Sequence, residues 1–339
     1  MATILSDSPT VTHSGSQASQ RILVGTGKSS WVWSADGWDL THSENPESCQ
    51  SETGINLHCE LVNVKIDPKK TALLIIDMQN FSLNKALDPP SAPPMYHAEH
   101  AILQHAIPAA RKLGMQTIWL NWGLTEEDLA DLPPAEVRVF AFDVNTKKAD
   151  YGLEDRCGDP KDPENFLNCG ERPNLARLPG AELGEIVLDD GSRVNAGRVM
   201  MKGTWNTALH GPLAAAYEEG KRAARPDVWI DKNRNSALWH DKTTLGGYLR
   251  KEKIQTLLFS GVNTDQCVGA TLQDAHAQSF DTIMLRDGCA TDSPPYAQAS
   301  YEFNCTRSWG FLSSCRALSR AAGLENDDFT NHMATETST

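Results

Sequence analysis

The sequence predicts an α/β fold, a three-layer sandwich around a mostly parallel sheet, with an N-terminal extension and a long insertion. Three observations carry that prediction. Continuous apolar runs at 71–76, 115–120 and 257–259 have the length and character of buried strands. An amphipathic stretch separates the first two, and strand, helix, strand in that order implies a right-handed parallel crossover. The first run ends in an acid, Asp77, and the last breaks at Gly261; open α/β sheets keep their chemistry at such strand ends.

Taken in chain order, residues 1–20 are Ser/Thr-rich without periodicity and read as disordered. Ile-Leu-Val-Gly followed by Trp31-Val32-Trp33 suggests a short hairpin within 21–38, and 39–60 is polar and loop-like. Residues 1–64 therefore form an extension, and the main domain, 65–325, begins near Lys65. After the strand 71–76, Ile102, Ala106, Ala109 and Leu113 share one helix face, and Gly114 is a natural C′ residue. Met115–Leu120 is the next strand.

The segment 123–199 is a long connection containing Leu132-Pro133-Pro134 and several Asp-Pro pairs. Its residues 185–194 read as a hairpin whose Asp190-Gly191 suits a type I′ turn. A structureless loop of this length is improbable, so the segment should carry local structure and either cover a site or build a subunit contact. Beyond it the pattern gives a helix at 208–220, a strand at 228–230, a helix at 241–253, a strand and helix around Cys267, a strand at 282–286 and a helix at 296–309. Residues 326–339 read as a disordered tail. No internal repeat is visible.

Composition excludes several function classes. A net charge of −13 with no offsetting basic stripe argues against nucleic acid or an anionic membrane surface as partner. Without a basic and apolar leader or a long apolar span, the chain reads as a cytoplasmic protein. Its eight cysteines form no Cys-x-x-Cys pair and read as reduced thiols; a Cys157–Cys169 bridge is the weaker alternative.

The chemistry gathers at three strand ends. Gly261 permits a tight turn, Thr264 is a reasonable N-cap, and Cys267 then falls near the third position of a helix carrying Val268, Leu272 and Ala275 on one face. Free amides and the helix dipole there favour thiolate and lower the cysteine pKa. Lys232 lies just past the strand 228–230, and Asp77 ends the strand 71–76. Each has a plain alternative: a buried structural cysteine, a solvated lysine, a helix-capping aspartate. An acid, a lysine and a thiol at matching edges of one sheet point instead to nucleophilic catalysis.

Residues 71–80, 229–239 and 257–291 resemble the isochorismatase-like cysteine hydrolases, and within them the ureidoacrylate amidohydrolases most. The resemblance covers roughly 66–122 and 199–320. It implies a catalytic triad of Asp77, Lys232 and Cys267. It also implies a non-proline cis peptide at Val262–Asn263 that aims the Asn263 and Cys267 amides at one oxyanion. Lys202-Gly203-Thr204-Trp205 matches an element ahead of the lysine strand. Asn121 and Trp122, after the second strand, stand where substrate would lie, with Trp205 and Trp239 as further lining candidates. Gln79 and Asn80 could bond a substrate polar group or fix the Asp77 loop. The metal-binding members place an Asp-x-His pattern after the second strand, where this chain has Asn121-Trp122-Gly123-Leu124. No metal and no cofactor are therefore expected. His97, His100 and His105 do not share one face, and His210, His240 and His276 read as structural.

The expected function is a metal-independent cysteine amidohydrolase acting on a small linear amide or ureido compound through a thioester. An isochorismate-type vinyl-ether hydrolase and a non-catalytic binding protein on the same fold are the alternatives. The partner is a small molecule, and the resemblance implies a homo-oligomer, dimer or tetramer.

Overall fold

The computed structural model describes residues 21–25, 29–43, 54–87, 93–144 and 171–325. The expectations for 1–20, 326–339, Cys157 and Cys169 lie outside these residues. A six-stranded, all-parallel sheet forms the centre. Fifteen strands, numbered in chain order, are described. Those before the sheet are β1 (Ile22–Val24), β2 (Trp31–Ser34), β3 (Gly37–Asp39), β4 (Ile55–His58) and β5 (Asn63–Ile66). Next come β6 (Thr71–Ile76) and β7 (Gln116–Trp122), then β8 (Phe142–Val144), β9 (Glu171–Pro173), β10 (Glu185–Val187) and β11 (Arg193–Asn195). The last four are β12 (Val228–Lys232), β13 (Thr256–Val262), β14 (Asp281–Ala290) and β15 (Phe311–Ser313).

The central order is β12-β7-β6-β13-β14-β15. The chain leaves β6 toward one edge and later returns to β13 on the other side. The β6/β13 boundary is thus the topological switch point, where open sheets leave a crevice. Every residue of β6, β7 and β13 is buried, which is why they read as unbroken apolar runs. Alternate side chains face opposite layers. Leu73, Ile75, Trp119 and Leu258 pack with Ile102, Ala106, Ala109 and Leu318, while Leu74, Ile76, Leu120 and Phe259 pack with Leu245, Leu249, Val268 and Leu272. Three layers result. The helical stretch 93–113 ends at Gly114 in the left-handed region, φ 72°, as its sequence predicts.

Register aligns the carboxyl ends. Ile76 stands opposite Leu120 and Gly261, and Lys232 opposite Trp122. Gly261 has φ 116°, and a Cβ there would meet the Ile76 carbonyl oxygen at 2.0 Å. Only glycine lets β13 approach β6 this closely as it turns.

Several expectations need correction. The N-terminal extension is a five-stranded sheet, β1-β2-β3-β5-β4, rather than a lone hairpin. Residues 55–58 of the stretch read as loop form β4. These strands are three or four residues long, too short for periodicity to show. Trp31 Nε1 donates to Asp281 Oδ1 at 2.7 Å, and His42 Nε2 lies 2.6 Å from Asp281 Oδ2; these contacts tie the extension to the start of β14. Asp190-Gly191 does not form a type I′ turn. Asp190 is not among the residues with positive φ, and the Gly191 amide donates to the Leu188 carbonyl at 2.9 Å while Leu188 pairs with Ser192. A turn closed by Gly191 at φ 80° makes a three-residue hairpin loop. Lys232 is the last residue of its strand rather than past it. β15 and the helix Cys315–Ala321 were not foreseen. The insertion does carry local structure, including helices Glu126–Ala130 and Pro134–Ala141. No described helix is long and apolar enough to cross a membrane.

Candidate active site

Asp77, Lys232 and Cys267 converge at the switch point. Lys232 Nζ lies 3.0 Å from Asp77 Oδ2 and 3.3 Å from Cys267 Sγ. The two charged side chains are only 1% and 3% exposed. Asp77 takes up left-handed backbone, φ 53°, which Asp tolerates better than most residues. Its amide donates to the Leu120 carbonyl, and its Oδ1 accepts the Trp122 amide at 3.2 Å. Lys232 also donates to the Arg234 carbonyl at 3.1 Å and sits 3.7 Å from the centre of the Trp122 ring, a cation–π contact in a desolvated place.

The Val262–Asn263 peptide is cis. Gln266 then departs from helical backbone, and a regular helix begins only at Gly269. Cys267 therefore lies on the entry bend, not at the third position of a helix capped by Thr264, whose hydroxyl has no partner among the described residues. This changes the electrostatics. Burial pushes the Cys267 thiol up to about 12; the Asp77 charge adds to the rise, and Lys232 opposes it. The expected lowering by a helix terminus is not what the fold provides, because desolvation outweighs it. Asp77 is raised as well, first by burial, with Lys232, Cys267 and the Trp122 amide pulling the other way. The resting site is a thiol beside a carboxylate that is more basic than usual. We expect alkylation of Cys267 by iodoacetamide, mapped by mass, to be slow at pH 7 and to accelerate about tenfold per pH unit toward 12; a plateau near neutrality would indicate a preformed thiolate.

The other candidate residues divide sharply. Gln79 is fully buried and fully engaged: its amide donates to the Trp122 and Thr207 carbonyls, both at 2.8 Å, and accepts the Trp122 amide at 3.0 Å. It braces the Asp77 loop and has nothing left for a substrate. Asn80 donates to the Trp205 carbonyl at 2.9 Å, which leaves the Trp205 indole out of that contact. Trp122 faces the site. Strand alternation places Asn121 on the opposite face, where it is fully buried with neither amide atom partnered among the described residues. Trp239 is half exposed and contacts Asn233, Arg234 and His240. Lys202 pairs with Asp231 at 2.7 Å.

Two contributors escaped the sequence reading. Asn235 Oδ1 lies 3.4 Å from Cys267 Sγ. Its amide is held by Glu136 Oε1 at 3.0 Å; Asn233 donates to Asp128 Oδ1 at 2.6 Å, and Arg234 to Asp131 Oδ2 at 3.0 Å. The insertion thus grips the loop that follows Lys232. Proximity to Lys232 was the available signal, since the residues after a strand end line its crevice. Asn206 is the second: fully buried, it knits the loop 196–206 through the Ala196 and Arg198 carbonyls and the Met200 amide.

Among the described residues no group of three or more His, Cys, Asp or Glu side chains is placed to hold a metal. His105 pairs with Glu325 and His210 with Glu99. A cavity of about 310 Å³ lies elsewhere, lined by Trp31, Trp38, Cys59, Arg307 and Phe311 among others. The Cys59 thiol there is pushed up to about 12 by burial, and no carboxylate or histidine is among the lining residues.

Several known proteins are similar to this chain. The family model for the isochorismatase domain matches residues 189–303, a span that includes Lys232 and Cys267. The ureidoacrylate amidohydrolase RutB of Cronobacter turicensis is 25% identical over 279 residues, covering 79% of this chain and 97% of the relative. A cysteine hydrolase from Pseudomonas syringae superposes with a TM-score of 0.49 at 16% identity, over 76% of this chain and 94% of that one. The nicotinamidase PncA of Bacillus subtilis gives 0.46 at 19% identity, over 72% and 99%. Residues 189–303 thus match an isochorismatase domain, and the chain is similar along most of its length to a ureidoacrylate amidohydrolase.

Proposed function

We propose that the protein is a metal-independent cysteine amidohydrolase that cleaves a small linear amide or ureido compound, ureidoacrylate-like in form. The observation that carries this reading is the buried contact of Lys232 Nζ with both Asp77 Oδ2 and Cys267 Sγ, at 3.0 and 3.3 Å. The name of the relative with 25% identity supports the substrate class.

The geometry supports the following steps. With substrate in place, Asp77 takes the thiol proton, and Lys232 stabilises the thiolate that forms. Burial raises the proton affinity of Asp77, which narrows the gap between a carboxylate base and a thiol acid. Sulfur attacks the carbonyl carbon, and the oxyanion is received by the Asn263 and Cys267 amides. The carbon–nitrogen bond breaks as Asp77 returns its proton to the leaving amine. Water, deprotonated by Asp77, then hydrolyses the thioester and releases the acid.

The test is a panel of linear amides and ureides incubated with the full chain, following ammonia release and the mass of the Cys267 peptide. An acyl adduct on Cys267 together with turnover is the expected result. Turnover with no adduct on rapid quenching, and with Cys267 blocked, would overturn it.

A further inference from the structure

Arg177 belongs to the insertion, at the end of the short turn Leu175–Arg177. Its guanidinium carbon lies 4.9 Å from the centre of the Phe81 ring. Phe81 follows the Asp77 loop and begins a run of edge-to-face aromatic contacts: Phe81 to Phe140 at 6.1 Å, and Phe140 to Trp122 at 5.2 Å. Trp122 carries the Lys232 ammonium at 3.7 Å. One aromatic wall therefore runs from the nucleophile and its lysine out to a cation. On the other side, Asn263 Nδ2 donates to Asp292 Oδ1 at 3.0 Å, and Asp292 is close enough to feel the Arg177 charge.

Several charged groups near this crevice have a described partner. Lys232 is paired with Asp77, Arg234 with Asp131, and Asp292 is engaged by Asn263. Arg177 forms no ion pair within 4 Å of a carboxylate among the described residues, and Asp292 lies within range of its charge; its described contact is the Phe81 ring, which uses none of its N–H donors. A planar, oriented cation with open donors matches a carboxylate two bonds at a time.

We propose that Arg177 sets the charge of the substrate, binding a carboxylate carried on the far side of the scissile amide. Resting on the amidohydrolase reading above, this names the specificity-determining residue that meets the carboxylate of a ureidoacrylate-like substrate. Asp292, tied to Asn263, marks the boundary of the anion site and disfavours a second negative group.

Succinamate and its neutral counterpart succinamide differ at one end only and test the assignment. Arg177→Gln is expected to raise KM for succinamate roughly 10- to 100-fold with kcat little changed, and to leave succinamide within about twofold. Arg177→Lys should recover part of the loss, a charge without the fork. Equal losses on both substrates, or none on either, would overturn the proposal. A second readout is independent of turnover: the ratio of iodoacetate to iodoacetamide alkylation rates at Cys267, measured at pH 9. Arg177→Gln should lower that ratio about tenfold, and an unchanged ratio would sink the anion site. Failure of the wild type on every amide, with the ratio still falling, would defeat the amidohydrolase reading and leave the anion site standing.

Discussion

Cys267→Ala is expected to lower amide turnover roughly ten-thousand-fold or more, while the urea unfolding midpoint changes little. In the proposed mechanism the thiol carries the acyl group, and without it the remaining donors can only position a water. Cys267→Ser should fare hardly better, since a hydroxyl is a far poorer acid and Asp77 is no stronger a base for it. Asp77→Asn should fall to a comparable level, because the variant has no carboxylate to take the thiol proton or to return it to the leaving amine. These losses should not add. In the Cys267→Ala background the further change Asp77→Asn should cost little, as expected when two residues act as one device. Progress curves on the same amide, with active fraction set by titration, give the comparison; a Cys267→Ala enzyme within tenfold of wild type would end the thioester mechanism.

The site was partly legible before the fold was known, and the reasons are physical. Asp77 and Lys232 stand at the ends of largely apolar strands, and Cys267 follows a third by five residues; such runs announce both the strand and its carboxyl edge. Residues that act through the tertiary arrangement left no such mark. Asn235 reaches Cys267 only because Asp128, Asp131 and Glu136 of the insertion hold its loop, a contact across about a hundred positions of sequence. Gln79 read equally as a ligand for substrate and as a brace for the Asp77 loop, and the sequence alone does not choose. Its three bonds to Trp122 and Thr207 exist only once β6, β7 and the loop at 205–207 are assembled. The thiol was misjudged for a related reason: a helix N-terminus is a local feature, whereas desolvation depends on everything packed above it. The N-terminal sheet went unseen because β3 finds its partner β5 across some twenty-five residues, and strands this short owe their existence to that partner.

Lys232→Met is expected to destabilise the protein by about 3–5 kcal/mol. Removing one partner of a buried pair costs more than the pair itself contributes, because Asp77 is left desolvated with only the Trp122 amide and the Cys267 thiol beside it. The deficit should depend on pH, with a definite sign. The Asp77 carboxyl is already raised above its ordinary value by burial, and losing Lys232 raises it further. A carboxyl with a raised folded pKa makes the folded state bind its proton more readily than the unfolded chain does. Its contribution is therefore most favourable below the unfolded value of about 3.9, and stability is lost as pH rises through the folded pKa. Urea titrations of Lys232→Met should show a smaller deficit near pH 5 than near pH 8. Adding Asp77→Asn should remove both that slope and much of the deficit, since a neutral amide no longer strands a charge. If the deficit were the same at both pH values and survived Asp77→Asn, it would instead reside in the packing of the lysine stem against Trp122, and Lys232 would owe its burial to that ring rather than to the acid.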